Sequence, residues 1–191
     1  MVAPLLGKNG SKQYLATLAY ASVITARDET IKFEVALREP LLIEPVRAGA
    51  ATLLLDPLDE RPVAPPIPTP CIALLEAFAE KSRAALTRRE PAIRDLFDID
   101  WAIRSGRIVP DEATLVSLVR SKLAVAGNPA IDISAGKLAA LRRQVDLGLR
   151  PVLRPADFAA FDLDRAFAIV TGMAARVGDA GRSPASPPKT V

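Results

Sequence analysis

The chain has 191 residues, half of them hydrophobic and a quarter charged, which suffices for one globular domain with an appendage and a core that needs no covalent staples. Its 25 Lys and Arg against 22 Asp and Glu make it mildly basic, so an anionic partner is permitted but not demanded. Histidine is absent and Cys71 is the only cysteine, which excludes an intrachain disulfide, a Cys-based zinc site and every mechanism that needs an imidazole, and leaves oxygen ligands, hence magnesium, manganese or calcium, for any metal.

Taken in chain order, Tyr14 to Ile24 is nearly continuous in apolar residues and predicts a strand covered on both faces. Thr25 to Glu29 is polar and suits a hairpin connection. Thr30 to Leu37 then alternates, with Ile31, Phe33, Val35 and Leu37 on one face and Lys32, Glu34, Ala36 and Arg38 on the other. A third strand is expected over Ala50 to Leu55. Asp56 to Pro70 carries six prolines' worth of interruption (57, 62, 65, 66, 68 and 70) and reads as an extended surface connector, barred from helix and central strand alike.

From Cys71 the period becomes helical. Ile72, Leu75, Ala79, Ser82 and Leu86 form one stripe, broken at Pro91. A second helix starts near Ile93 and ends at Gly106. Pro110-Asp111-Glu112 opens a third, with Leu115, Leu118, Val119 and Leu123 inward. Ser134 caps a fourth that carries Leu138, Leu141 and Val145. A last helix spans about Leu163 to Val177, with Phe167, Val170 and Ala174 inward, and Gly178 to Val191 has the composition of a disordered tail. No apolar run reaches the roughly 18 residues of a membrane span, the start of the chain lacks a signal-peptide pattern, and the expected location is the cytoplasm.

The densest polar cluster lies on the first two helices. Lys81 sits at the edge of the buried stripe, and Arg88, seven residues on, projects the same way about two turns later. A point charge and a bidentate fork along one helix edge suit phosphates. Asp95 and Asp98, three apart, share a face in the first turns after Pro91, where the helix dipole favours carboxylates. The plainer reading has Asp95 as a cap and Asp98 paired with Arg94 or Lys81. Phe97 and Trp101 read as core rather than as a base-stacking platform. Glu34 projects from mid-strand between Lys32 and Arg38; such an acid can hold Mg²⁺, although a solvated face with cross-strand ion pairs fits the spacing better. The strings Asp98-Ile-Asp100 and Asp162-Leu-Asp164 fall in helical segments and diverge, so neither makes a metal pair. Lys137, Arg142, Arg143, Arg150 and Arg154 read as a solvated helix face before they read as a nucleic-acid contact.

The stretch LEAFAEKSRAALTRREPAIRDLFDIDWAI resembles the C-terminal motif block of the AbiEii/AbiGii-type nucleotidyltransferase toxins, which runs Glu-x-x-Ala-Glu-Lys, Ala, Arg, Arg-Asp-x-x-Asp; the matching positions are Glu76, Ala79, Glu80, Lys81, Ala85, Arg88, Arg94, Asp95 and Asp98. Upstream, IKFEVALREPL resembles the strand bearing that family's third metal carboxylate, which places Glu34 in the role, and the similarity covers about Gln13 to Val177. The resemblance implies an α+β chain: a strand-rich part of a nucleotidyltransferase core over 1–56, a Pro-rich connector over 57–70, a helical region over 71–177 and the tail over 178–191. It implies transfer of a nucleoside monophosphate from an NTP to a hydroxyl on a tRNA or protein acceptor, with Mg²⁺ or Mn²⁺ held by three carboxylates and a cognate antitoxin as partner. Lys81 and Arg88 would bind the triphosphate, Arg94, Asp95 and Asp98 would order the site, and Asp95 or Asp98 would activate the acceptor. The sequence departs from the family at its first motif, a Gly-Ser followed about ten residues on by Asp-x-Asp: Gly10-Ser11 meets no Asp before Asp28. The expectation is therefore a truncated member that starts partway through the domain and is weakly active or inactive alone. The rival expectations are a non-catalytic remnant that binds an antitoxin or nucleic acid, and an Arg-rich RNA-binding helical domain.

Overall fold

The computed structural model describes residues 6–8, 13–22, 25–36, 40–52 and 54–179. The chain divides into two compact units, Met1–Pro40 and Leu41–Val191, and the architecture is α+β.

The smaller unit is an antiparallel meander of β1 (Leu6–Lys8), β2 (Gln13–Ala21) and β3 (Asp28–Ala36). Alternation sets the β2–β3 register: Tyr14, Ala16 and Leu18 lie opposite Val35, Phe33 and Ile31, so one face is apolar, while Leu15 and Thr17 lie opposite Glu34 and Lys32 on the other. The hairpin turns at Thr25–Arg27 with Ala26 at φ 52°, and Ser22 N–H donates to the Arg27 carbonyl (2.9 Å). The expectation of a strand buried on both faces fails here. No β2 residue is fully buried, because a three-stranded sheet has no second layer of its own to cover it. Val23, Ile24, Leu37 and Arg38 lie outside the described residues.

In the larger unit the strand expected at Ala50 to Leu55 lies earlier, as β4 (Val46–Ala50), and its partner β5 (Ile67–Cys71) comes from the end of the proline-rich stretch. The reason is positional. Pro68 and Pro70 are two apart, so their missing N–H groups share the edge that faces away from β4, and Ile67, Thr69 and Cys71 keep the donors that the ladder needs. Leu55 forms only an isolated bridge to Pro62.

Among the described residues six α-helices follow: α1 (Leu74–Thr87), α2 (Ile93–Arg104), α3 (Ala113–Leu123), α4 (Ala135–Gln144), α5 (Pro155–Ala160) and α6 (Leu163–Asp179). Residues Val145–Leu149 continue α4 as a π-turn. Ser134 caps α4 as its sequence predicts, its Oγ accepting from Lys137 N–H (3.2 Å), and Asp162 Oδ1 accepts from Arg165 N–H (2.8 Å) at the start of α6. The stripes converge on one core: Ala79 and Leu86 of α1, Leu96 and Ile99 of α2, Leu115 and Val119 of α3, Leu141 of α4, and Ala166, Val170 and Met173 of α6 are buried. Each large aliphatic side chain there contributes about 1.5–3 kcal/mol through removal from water. Phe97 joins this core edge-on to Phe161 (centroids 5.8 Å apart), but Trp101 does not: it is half-exposed, with the Arg107 guanidinium 5.8 Å from its ring centroid. The tail beyond Asp179 lies outside the described residues.

Two buried ion networks tie the helices. Glu76, with no exposed surface, takes Lys122 Nζ of α3 at 2.7 Å and also accepts the N–H groups of Leu42 (2.9 Å) and Ile43 (2.8 Å). This one carboxylate fastens the segment before β4 to α1 and α3. Asp100, also fully buried, receives Arg104 Nε at 2.8 Å and two hydrogen bonds from Arg165, at 2.7 and 3.0 Å, which joins α2 to α6.

Candidate functional site

The cluster singled out in sequence is assembled at the junction of α1 and α2. Lys81 lies in mid-α1; Arg88 is the C-cap of that helix, already extended (φ −63°, ψ 126°). The chain turns through Arg89–Ala92, with Pro91 unable to continue a helix, and Ile93 opens α2. Both cations then meet one carboxylate: Asp95 Oδ1 is 3.3 Å from Lys81 Nζ and Asp95 Oδ2 is 3.1 Å from Arg88 Nη1. The second contact is off-axis, so it is an ion pair without a hydrogen bond. Lys81 also holds Asp98 Oδ2 at 2.7 Å.

The two aspartates are unlike. The Asp95 side chain is buried, whereas Asp98 and Lys81 are each 39% exposed and Arg88 is 50% exposed. Burial pulls the Lys81 ammonium down, and the hydrogen bond and charge of Asp98 together with the charge of Asp95 outweigh it, so the group sits above the ordinary lysine range. Arg94 is exposed and has no ion pair among the described residues. Around this cluster open two clefts that share Lys81, Arg88 and Asp95. One, of about 460 Å³, is also lined by Arg94, Gln144 and Gly148. The other, of about 260 Å³, is walled by Ile72, Ala77, Glu80 and Ala84.

Glu34 lies in mid-β3 of the smaller unit, opposite Leu15, and accepts a hydrogen bond from the Gln13 side chain of β2. Asp98 and Asp100 diverge as helical geometry requires, one to Lys81 and the other to the Arg104–Arg165 network. The basic stretch after Ser134 divides. Arg142, Arg150 and Arg154 are exposed and paired with Asp164, Asp146 and Asp157. Lys137 is not on a solvated face at all: it is buried, and its Nζ donates to the Leu86 carbonyl (3.2 Å). Burial pushes the Lys137 ammonium below the ordinary lysine range, with the charges of Asp132 and Asp95 acting the other way. Its spacing carried the signal, since Lys137 stands four before buried Leu141; Lys122 likewise stands three after Val119. Gln144 was missed for a different reason: no local pattern marks a side chain whose partners are about 50 residues away.

A divalent cation does not fit this chain's described residues. No three acidic or thiol side chains converge among them. Asp95 has both oxygens on cations and Asp98 has one. Glu34 alone would be a single ligand, where Mg²⁺ or Mn²⁺ asks for several oxygens.

The family model described as Nucleotidyl transferase AbiEii toxin, Type IV TA system, matches residues 6–169, and the chain belongs to that family. No curated protein matches it, and no solved structure does. The protein is thus a member of a nucleotidyltransferase toxin family, and a type IV toxin–antitoxin family implies a cognate antitoxin. No helix among the described residues is long and apolar enough to cross a membrane.

Proposed function

We propose that the Lys81–Arg88 edge binds the triphosphate of an NTP, and that the chain serves transfer of a nucleoside monophosphate to a hydroxyl on a tRNA or protein acceptor in the cytoplasm. The observation that carries this reading is the convergence of two part-exposed cations on one buried carboxylate beside an open cleft. Asp95 holds both cations in place from below. Phosphate oxygens would displace Asp98 from Lys81 and lie along Arg88 as on a fork, which is how positioning and charge neutralisation serve such transfers. Asp98, the more accessible acid, is the better placed of the two to accept a proton from an acceptor hydroxyl; Arg94, exposed on the same cleft wall, orders the anionic groups that enter. The Gly-Ser…Asp-x-Asp acids are not in this sequence, and Glu34 is a lone candidate ligand, so the chain by itself transfers weakly or not at all.

The test is calorimetric titration with ATP and with inorganic tripolyphosphate, beside a radiolabel assay for transfer. Lys81→Ala should weaken both ligands by about tenfold or more while the fold is retained, as expected for losing a charge-assisted contact. Undiminished binding in Lys81→Ala would remove the site assignment. A second reading, a non-catalytic module that binds antitoxin or nucleic acid, draws support from the unpaired, exposed Arg94. It predicts no labelled product under any condition and, for RNA, an affinity that falls steeply with salt.

A further inference from the structure

The cleft beside Lys81 and Arg88 is closed on another side by a residue that no motif points to. Gln144 ends α4 just where the helix widens into the π-turn Val145–Leu149, a geometry often found at functional sites. Its side-chain amide reads the backbone at the entrance to α2: Oε1 accepts the Ile93 N–H (3.0 Å) and Nε2 donates to the Pro91 carbonyl (2.8 Å). Ile93 is the first residue of α2, and its N–H is one of the donors a helix start leaves unpaired. The usual local answer is a Ser, Thr, Asp or Asn at the N-cap, as Ser134 provides for α4. Here the N-cap is Ala92, with no side chain able to accept.

The cap of α2 therefore comes from across the cleft. Gly148, in the π-turn, completes the grip: a Cβ there would stand 3.0 Å from Ile93 Cγ2, so only glycine lets the turn lie against that residue without a shift. One and two residues beyond Ile93 come Arg94 and Asp95, and all of these line the same cleft with Gln144 and Gly148.

We infer that Gln144 is a positioning residue of the phosphate site: through Pro91 and Ile93 it fixes the first turn of α2 relative to the cationic edge of α1, and so sets where Asp95 meets Lys81 and Arg88. This rests on the reading of that edge as the phosphate-binding one.

The experiment compares three variants of the full chain with the wild type by tripolyphosphate titration and thermal unfolding. Gln144→Met keeps volume and helix propensity but deletes both hydrogen bonds; it should weaken tripolyphosphate binding about fivefold or more and lower the melting temperature by a few degrees. Gln144→Met combined with Ala92→Ser supplies a local cap, for the N–H groups of the second or third residue of α2, without restoring the link across the cleft. Melting temperature should recover while affinity stays weak. Affinity that is intact in Gln144→Met, or that recovers together with melting temperature in the double variant, would overturn the inference and leave Gln144 a helix cap only. Lys81→Ala is the third arm. If it weakens binding and Gln144→Met does not, the positioning role alone fails; if neither weakens it, the phosphate reading itself fails and takes this role with it.

Discussion

Lys81 holds two carboxylates that answer differently to substitution. Asp98 is part-exposed on Lys81, and under the proposed reading of that edge a phosphate oxygen would compete with it for the ammonium. Asp98→Asn should tighten tripolyphosphate binding about threefold or more in low salt, measured by calorimetry, even though the same change would remove the more accessible base from any transfer reaction. Weaker binding would mean that Asp98 organises the anion site instead of blocking it. Glu76 is the opposite kind of acid. Its burial works to raise the carboxyl, but the hydrogen bond from Lys122, the N–H groups of Leu42 and Ile43 and the Lys122 charge together hold it below the ordinary glutamate range. A depressed folded-state value contributes stability that is present above the unfolded value, near 4.3, and lost as pH falls through the folded one. Urea midpoints should therefore decline below about pH 4.5 in the wild type, and that component should vanish in Glu76→Gln. At neutral pH the same variant should lose about 3 kcal/mol, because its buried ion pair with Lys122 is broken.

At the scale of elements, α2 is held at both ends by side chains from far along the chain, Gln144 at its start and Arg165 near its end. Asp100→Asn removes the negative charge from three hydrogen bonds between α2, its own Arg104 and α6 and turns one of the two accepting oxygens into a donor, and should cost about 2 kcal/mol in denaturant unfolding. Lys137 makes the reverse case. It is a buried ammonium with one hydrogen bond, to a carbonyl that Asp132 N–H already satisfies at 2.8 Å, so Lys137→Met should raise the melting temperature at neutral pH by a few degrees. How much was legible in the sequence follows the same division. The helices were readable because Ala79, Ser82 and Leu86, or Leu115 and Val119, repeat at the period of the structure they form. The convergence on Asp95 was foreshadowed because Lys81, Arg88 and Asp95 lie within 15 residues of one another. The pair β4–β5 was not readable, since Val46–Ala50 and Ile67–Cys71 are rich in Ala, Gly and Pro and do not alternate. Neither was α5, a single short turn-and-a-half opened by Pro155.

At the scale of the molecule the two units differ in what holds them. The larger has a continuous apolar core with two buried ion networks; the smaller relies on ladder hydrogen bonds, and Ile31, Phe33 and Val35 remain about half exposed. Native-state hydrogen exchange should accordingly be faster in β2 and β3 than in α1, α2 and α6, and equal protection in both would contradict that ordering. One further property follows from where the lysines go. Among the described residues of the larger unit there are three, Lys81, Lys122 and Lys137, and two of them are interior. The cationic groups exposed among those residues are therefore almost wholly guanidinium: planar, weakly hydrated, and unable to give up their proton in any habitable alkalinity. Any contact of this unit with a polyanion would therefore be made through arginine geometry and tuned by the salt around it, since its cations do not titrate near neutrality.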